Sequence, residues 1–283
     1  MFNTHAGTTC FKPMLIFEAS SGKPVFAMMR PGKRPSGKEI AHVLRRVIAR
    51  IRSHWPKVKI LVRGDSHYCG PQVLDLLESL GCDYILGLAV NARLAAKAAP
   101  WKAEVAARRQ RQLWQAPAVR RFHRLRYGAD SWSRQRLVIA RVEATAMGTD
   151  VRFVVTNLIG RAKHLYEKVY CARGNAENLI KDFKRHTRAD KTACHRWQAN
   201  QMRLFLHMGA YWLLHTLRRA TPEKSAWYGA TFDTIRARFV KIACRVEELK
   251  SRIKVSFPAA LPEADVMAAI LSAVAAGLPA RGS

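Results

Sequence analysis

Five polar side chains recur along residues 170–188: Tyr170, Arg173, Glu177, Lys184 and Arg188. Wound as one helix at about 100° per residue, all five fall within about 60° of one another. Leu179, Ile180, Phe183 and Ala176 fall on the other side. The polar stripe sets one carboxylate among cations and a phenol. That set suits a place where a divalent ion, a phosphate and a carboxylate meet. A solvated face laced with ion pairs one turn apart gives the same pattern.

A second carboxylate stands far away in sequence. Val58 to Val62 reads as a short apolar strand that runs into Arg63-Gly64-Asp65-Ser66-His67. Asp65 therefore lies just past a strand's carboxyl end, where sites in open α/β sheets gather. A plain turn or cap residue is the other reading. With Glu177 on a helix packed against that sheet, the two acids could share Mg²⁺ (or Mn²⁺), which takes one or two carboxylates plus waters and phosphate oxygens. Two such ions can activate a water or a 3′-hydroxyl and stabilise the leaving oxygen of a phosphodiester. His67 reads as a structural or phosphate-facing side chain, not a ligand.

The elements that must position these residues can be read in order. Residues 11–19 and Pro24–Arg30 form a predicted hairpin around Ser20-Ser21-Gly22-Lys23. Ser36 and Glu39 make a capping box for a helix to about His54, which Pro56 ends. After the 58–62 strand come a helix from Pro71 to about Leu80 and a strand from Asp83 to Ala89. The order β-β-α-β-α-β predicts a mixed sheet with an antiparallel hairpin and parallel strands joined by helical crossovers. Strand-like stretches follow at 119–127, 136–145 and 151–157. Helices are expected at about 162–171, 175–188, 197–219 and 230–252, with a short Ala-rich helix from Asp265 to Ala276. This gives four regions: 1–91, a basic β-rich insertion at 92–157, catalytic-core helices at 158–220, and a helical region at 221–283.

Composition narrows the partner. Lys and Arg number 49 against 20 acids, giving a net charge of +29 and a pI of about 10.8. So basic a chain calls for a polyanion, and nucleic acid before membrane. A hydrophobic content of 49% excludes a disordered basic tail. Residues 101–136 hold ten Lys and Arg, among them Arg121 and Arg124, and two acids. Trp101, Trp114, Phe122, Tyr127 and Trp132 are interleaved, which suits phosphate contacts with base stacking, or equally an ordinary solvated Arg face. The six cysteines make no CxxC pair and read as reduced thiols of a cytoplasmic protein. The most apolar segment, Met202–Leu217, is interrupted by Arg203, His207 and His215 and is too short to span a bilayer. It reads as a buried helix, with Trp197, Phe205, Tyr211 and Trp212 packing and the two histidines as satisfied polar spots.

Tyr170-x2-Arg173-x3-Glu177-x6-Lys184 resembles the Tyr-x2-Arg-x3-Glu-x6-Lys pattern of a large group of bacterial insertion-sequence transposases. Those enzymes use DDE chemistry on a ribonuclease-H-like α/β fold. Leu61-Val-Arg-Gly-Asp65-Ser-His-Tyr68 looks like their second-aspartate motif, and Lys33–Lys38 and Asp83–Gly87 look like further segments of the group. The resemblance covers roughly residues 2–250. It implies that Asp65 and Glu177 are two of three metal-binding carboxylates, and that Tyr170, Arg173 and Lys184 contact DNA near the cleavage site. It also implies double-stranded DNA at transposon ends as substrate, a homodimer on paired ends, and a place with the bacterial nucleoid.

One feature departs from the group. The third carboxylate belongs on a first strand ahead of the hairpin, and the acids before Asp65 are only Glu18 and Glu39. Neither sits where the group places its first Asp. The expectation is a chain truncated at its amino end, lacking the central first strand, with two strand edges unpaired, and inactive alone. A non-catalytic regulator that binds DNA or poisons a full-length partner is the alternative.

Overall fold

The computed structural model describes residues 2–3, 7–112, 117–192 and 194–277; Trp114 lies outside them. In chain order the elements are β1 (Phe2–Asn3), β2 (Thr8–Thr9), β3 (Met14–Phe17), β4 (Pro24–Met28), α1 (Gly37–His54), β5 (Leu61–Gly64), α2 (Pro71–Ser79), β6 (Asp83–Leu88), α3 (Ala92–Gln110), β7 (Val119–Tyr127), β8 (Arg136–Thr145), β9 (Gly148–Thr156) and α4 (Ala162–His164). A π-helical turn (Leu165–Tyr170) and a 3₁₀ turn (Cys171–Gly174) lead into α5 (Asn175–Thr187) and α6 (Trp197–Ala220). α7 (Phe232–Ile235), a second π turn (Arg236–Val240), β10 (Arg245–Leu249), β11 (Arg252–Ser256) and α8 (Ala264–Ala276) complete the chain. The mixed α/β architecture is consistent with a ribonuclease-H-like fold. Two compact units form, one from residues 33–174 and one from 1–32 with 175–283.

The 33–174 unit is built on a five-stranded sheet in the order β5-β6-β9-β8-β7. β5 and β6 run parallel, with α2 as the crossover, and every other pair is antiparallel. Ser36 caps α1 by accepting from the Glu39 amide at 3.2 Å, as its spacing with Glu39 requires. Strands of the basic stretch do not stand apart from this sheet: β9 pairs with β6 from Ile85↔Thr156 to Leu88↔Phe153. β8 buries apolar residues on both faces, because each is partly covered. α3 packs Val105 and Trp101 against Val119, Val142 and Ala144. On the other face Leu165 and Tyr166 of the π turn meet Ile85, Ile139 and Val154. The helix α3 carries Pro100 within it, and its apolar spacing is weak, which hides it from periodicity. Asn91 starts it, its side chain accepting from the Leu94 amide at 2.9 Å.

In the other unit β3 and β4 form the expected hairpin, but as a two-stranded sheet of its own. Among the described residues β3 pairs only with β4 and β5 only with β6, so both keep an open edge. The outer edge of β4 is closed in another way, by side chains of α6. Gln201 accepts from the Met29 amide at 2.6 Å and donates to the Ala27 carbonyl at 3.4 Å. Trp197 donates to Met29 O at 2.9 Å and Trp212 to Pro24 O at 3.0 Å. Tyr211 donates to Gly22 O at 3.0 Å, and His215 Nε2 lies 2.6 Å from Ser21 O. Those polar groups are what an apolar helix needs to cover a strand edge. Ala27, Met29, Phe183, Leu204, Tyr211 and Phe232 make the core beneath.

The expected helix over 230–252, and with it a wholly helical region 221–283, is corrected. Only residues 232–240 are helical there; β10 and β11 then form a hairpin from Arg245↔Ser256 to Leu249↔Arg252. Ile253-Lys-Val255 alternates with the period of a strand, and that local pattern wins over helix propensity. No helix of the described residues is long and apolar enough to cross a membrane. All six cysteines are free thiols.

Candidate active site

Asp65 follows the last residue of β5 and opens a tight turn. Its Oδ1 accepts from the His67 amide at 2.8 Å, and its carbonyl accepts from the Tyr68 amide at 3.1 Å. His67 Nδ1 lies 3.3 Å from the same Oδ1, while the Asp65 side chain remains 40% exposed. Asp65 is thus a turn-former and an accessible carboxylate at once. Arg34 donates to the Ser66 carbonyl at 3.0 Å. This bond gives the Lys33–Lys38 segment a physical task, holding the turn that carries Asp65.

Gly87 lets β6 come close to that turn. A Cβ there would lie 2.7 Å from the Tyr170 hydroxyl, 2.8 Å from Ser66 N and 3.2 Å from the Asp65 carbonyl carbon. No larger residue fits without moving backbone. Tyr170 is brought in by the π turn, which Arg63 fastens to β5 by donating to the Val169 carbonyl at 3.2 Å. Arg173, in the 3₁₀ turn that follows, lays its guanidinium over the Tyr170 ring, 5.5 Å from its centre.

Asp65, Tyr170 and Arg173 line one cavity of about 390 Å³ within the 33–174 unit. Its other walls are Ser66, the β6 end from Gly87 to Val90, Arg141 and Arg152 on adjacent strands, Phe153 and Tyr166. Arg141 is held at 3.0 Å by Asp150 and 3.2 Å by Glu143, and lies over the Tyr166 ring at 5.8 Å. Burial pushes the Tyr166 hydroxyl up to about 12, so it stays neutral. Arg152 is bound at 3.0 Å by Asp150, and its side chain is 68% exposed. Three guanidiniums and two phenols around one carboxylate can hold a phosphate beside an ion held by that carboxylate. Arg141, Arg152 and Tyr166 escaped the sequence reading. The available signal was a lone cation, Arg141, inside the otherwise apolar run Leu137–Val142.

The remaining residues belong to other elements. The stretch 170–188 is not one α-helix: π, 3₁₀ and α windings succeed one another, so a single 100° step does not hold across it. Glu177 and Lys184 are exposed on α5, in the other unit, with Leu179 and Phe183 buried on the opposite face. Arg188 leaves the stripe: α5 ends at Thr187, and Arg188 takes a left-handed φ of 57°. Arg121 and Arg124 are exposed on β7 and, three residues apart in a strand, face opposite sides of the sheet.

Two other acids deserve placing. Glu18 accepts from Ser20 N, Ser20 Oγ and Ser21 N at 2.7–2.8 Å. Burial alone would raise its pKa, but the bonds from Ser21 and Ser20 take it down to about 2. Both its oxygens serve the hairpin turn. Glu39 sits in the first turn of α1. As for metal, half-exposed and exposed carboxylates suit a hard ion such as Mg²⁺ in kind. In number they fall short: among the described residues no group of three or more His, Cys, Asp or Glu is placed to hold an ion.

No curated protein matches the chain. A family model described as transposase DDE domain group 1 matches residues 1–277. That family implies DNA as substrate and the general use of divalent metal. The turn at Asp65, the guanidinium-lined cavity beside it and this match agree, and the chain belongs to the DDE transposase domain family, group 1.

Proposed function

We propose that the chain is part of an insertion-sequence transposase that cuts and joins phosphodiesters at element ends by a two-metal DDE mechanism. Asp65 and Glu177 would hold Mg²⁺ or Mn²⁺, which supplies an activated water or 3′-hydroxyl and stabilises the leaving oxygen. The cavity beside Asp65 carries this reading, because Arg141, Arg152 and Arg173 converge there with Tyr170. Arg173 and Arg152 bind and orient the scissile phosphate. Tyr170 fixes Arg173, and Arg63 fixes the turn that bears Tyr170. On α5, Lys184 reaches the DNA strand, as does Arg188 at the helix end. Two copies work together on paired ends, at the bacterial nucleoid.

The chain supplies two of the three acids, since Glu18 is committed to a turn and Glu39 to a helix start. It is therefore inactive alone, the behaviour of a fragment that lacks the first catalytic Asp. Purified chain with Mg²⁺ and element-end DNA is expected to give no nicked product. Nicking that disappears in Glu177→Gln would overturn the inactivity of the lone chain while supporting Glu177 as a metal ligand. One observation favours a second role, a DNA-binding regulator of transposition. Arg121, Arg124 and Arg126 on β7 are exposed and do not line the cavity. DNA binding without nicking, steeply weakened by salt, would support that role.

A further inference from the structure

We propose that the exposed face of α1 is a further nucleic-acid surface, a track that grips the phosphates of duplex DNA running on from the Asp65 turn. Lys38, His42, Arg45, Arg46, Ala49 and Ser53 are all exposed. They fall within about 100° of the helix surface, with Arg50 just beyond. Ile40, Val43, Leu44 and Ile48 are buried on the other side. The helix has a single acid, Glu39, in its first turn. Elsewhere in the 33–174 unit, Arg93, Arg120, Arg134, Arg136, Arg141 and Arg152 each hold a carboxylate. Among the described residues Lys38, Arg45, Arg46 and Arg50 make no ion pair. Arg46 and Arg50, one turn apart, repel each other. A polyanion laid along the face relieves that repulsion and gives up its own counterions in return.

The track starts at the site. Arg34 donates to the Ser66 carbonyl at 3.0 Å, beside Asp65. A Cβ built on Gly70, the residue before α2, would lie 3.4 Å from the Gly37 Cα at the start of α1. At the far ends Arg52 donates to the Leu80 carbonyl at 2.6 Å. The two helices therefore run side by side from the Asp65 turn, and α1 leads away from it. Lys38 to Ser53 spans about 22 Å, the length of about six base pairs of duplex. Exposed Lys57 and Lys59 prolong the charge past Pro56. The stripe has no apolar side chain larger than Ala49, whereas a basic helix that lies on anionic lipid presents large apolar residues to it. Contacts from Lys and Arg to phosphates position a duplex without reading its sequence. The inference rests on the proposed function in taking Asp65 as the place where a strand is cut; the binding face itself uses no metal.

Fluorescence anisotropy with a labelled DNA duplex of arbitrary sequence, without metal and at rising salt, tests it. A chain carrying Arg45→Gln, Arg46→Gln and Arg50→Gln together is expected to bind more weakly. Its slope of log K against log salt should be less steep by about 2–3. Thermal unfolding should be unchanged, since the three side chains are exposed and make no ion pair. Lys224→Gln, Lys241→Gln and Lys250→Gln together remove the same charge from other exposed positions and should change the slope by less than about 1. With the exposed Cys171 and Cys244 replaced by Ser, Ala49→Cys carrying an azidophenacyl group is expected to crosslink to the duplex, and unlabelled duplex should compete the crosslink away. A wild-type slope in the α1 variant, an equal loss in the lysine variant, no crosslink from position 49, or tighter binding of single strands or duplex RNA would overturn the proposal. If the α1 variant fails to fold, the crosslink decides. Because no metal or element end is present, failure here leaves the proposed chemistry standing, and absence of nicking leaves the track standing.

Discussion

Gly87 shows how one missing Cβ shapes the site. Its neighbours at 2.7 and 2.8 Å are a phenol and a backbone amide, and the amide cannot yield like a flexible side chain. Gly87→Ala is expected to cost about 1–3 kcal/mol by overpacking, read by urea unfolding, and to weaken DNA binding by displacing Tyr170. Glu78 illustrates a different residue-scale effect. Burial would raise its carboxyl, but hydrogen bonds from Arg136, Tyr84 and Arg134 bring it down to about 2. Arg136 is almost fully buried and reaches Asp75 at 2.6 Å as well. A depressed carboxyl contributes stability that is complete above its ordinary 4.5 and is lost as pH falls toward 2. Glu78→Gln should therefore flatten the pH dependence of chemical unfolding in that window. Arg136→Met, which leaves Glu78 with only Tyr84 and the exposed Arg134 as partners, should cost about 3 kcal/mol at neutral pH. An unchanged acid limb in Glu78→Gln would refute the assignment. The pairing is not legible in the sequence, because Arg136 lies 61 residues from Asp75 and 58 from Glu78 along the chain.

At the scale of elements, α6 does the work of a neighbouring strand. Gln201 is the clearest case, since its amide satisfies both Met29 N and Ala27 O inside the core. Gln201→Leu is expected to lose about 1–3 kcal/mol, because two buried backbone groups then go unpaired; a stability equal to wild type in thermal or urea unfolding would refute this. His215 adds a pH effect in the same place. Burial lowers its pKa below 6.5, so the neutral ring is the folded form. Stability is complete above 6.5 and falls as pH drops below it, and His215→Gln should remove that slope. The helices α1, α2 and α6 and the strands β3 to β9 were legible to within a few residues, because each has a clear period and a punctuating Ser, Pro or Gly. The helix α3 and the hairpin β10–β11 were not. In α3, Pro100 obscures the pattern; in the hairpin, helix-forming Glu, Leu and Lys residues mask a short alternation. The stripe at 170–188 fails for a related reason: a sequence carries no mark of a change from π to 3₁₀ to α winding.

For the whole molecule, charge dominates. A net +29 on 283 residues predicts DNA affinity that falls steeply with salt. Replacing exposed Arg121 and Arg124 by Ala should each make the slope of log K against log salt less steep by about 1. An unchanged slope would remove β7 from the DNA path. By itself the sequence determined the class of partner, the α/β order and the family, since these rest on composition, periodicity and fixed spacing along the chain. It also determined that Asp65 lies just past the end of a strand. The tertiary structure decided what surrounds Asp65: Arg141 and Arg152 arrive from strands more than seventy residues away, and Gly87 makes room for Tyr170. It decided too that β4's outer edge is closed by a helix and that β3 and β5 keep open edges. Such outcomes depend on which backbone groups and side chains meet after folding, and residues distant along the chain leave no local pattern from which that meeting can be read.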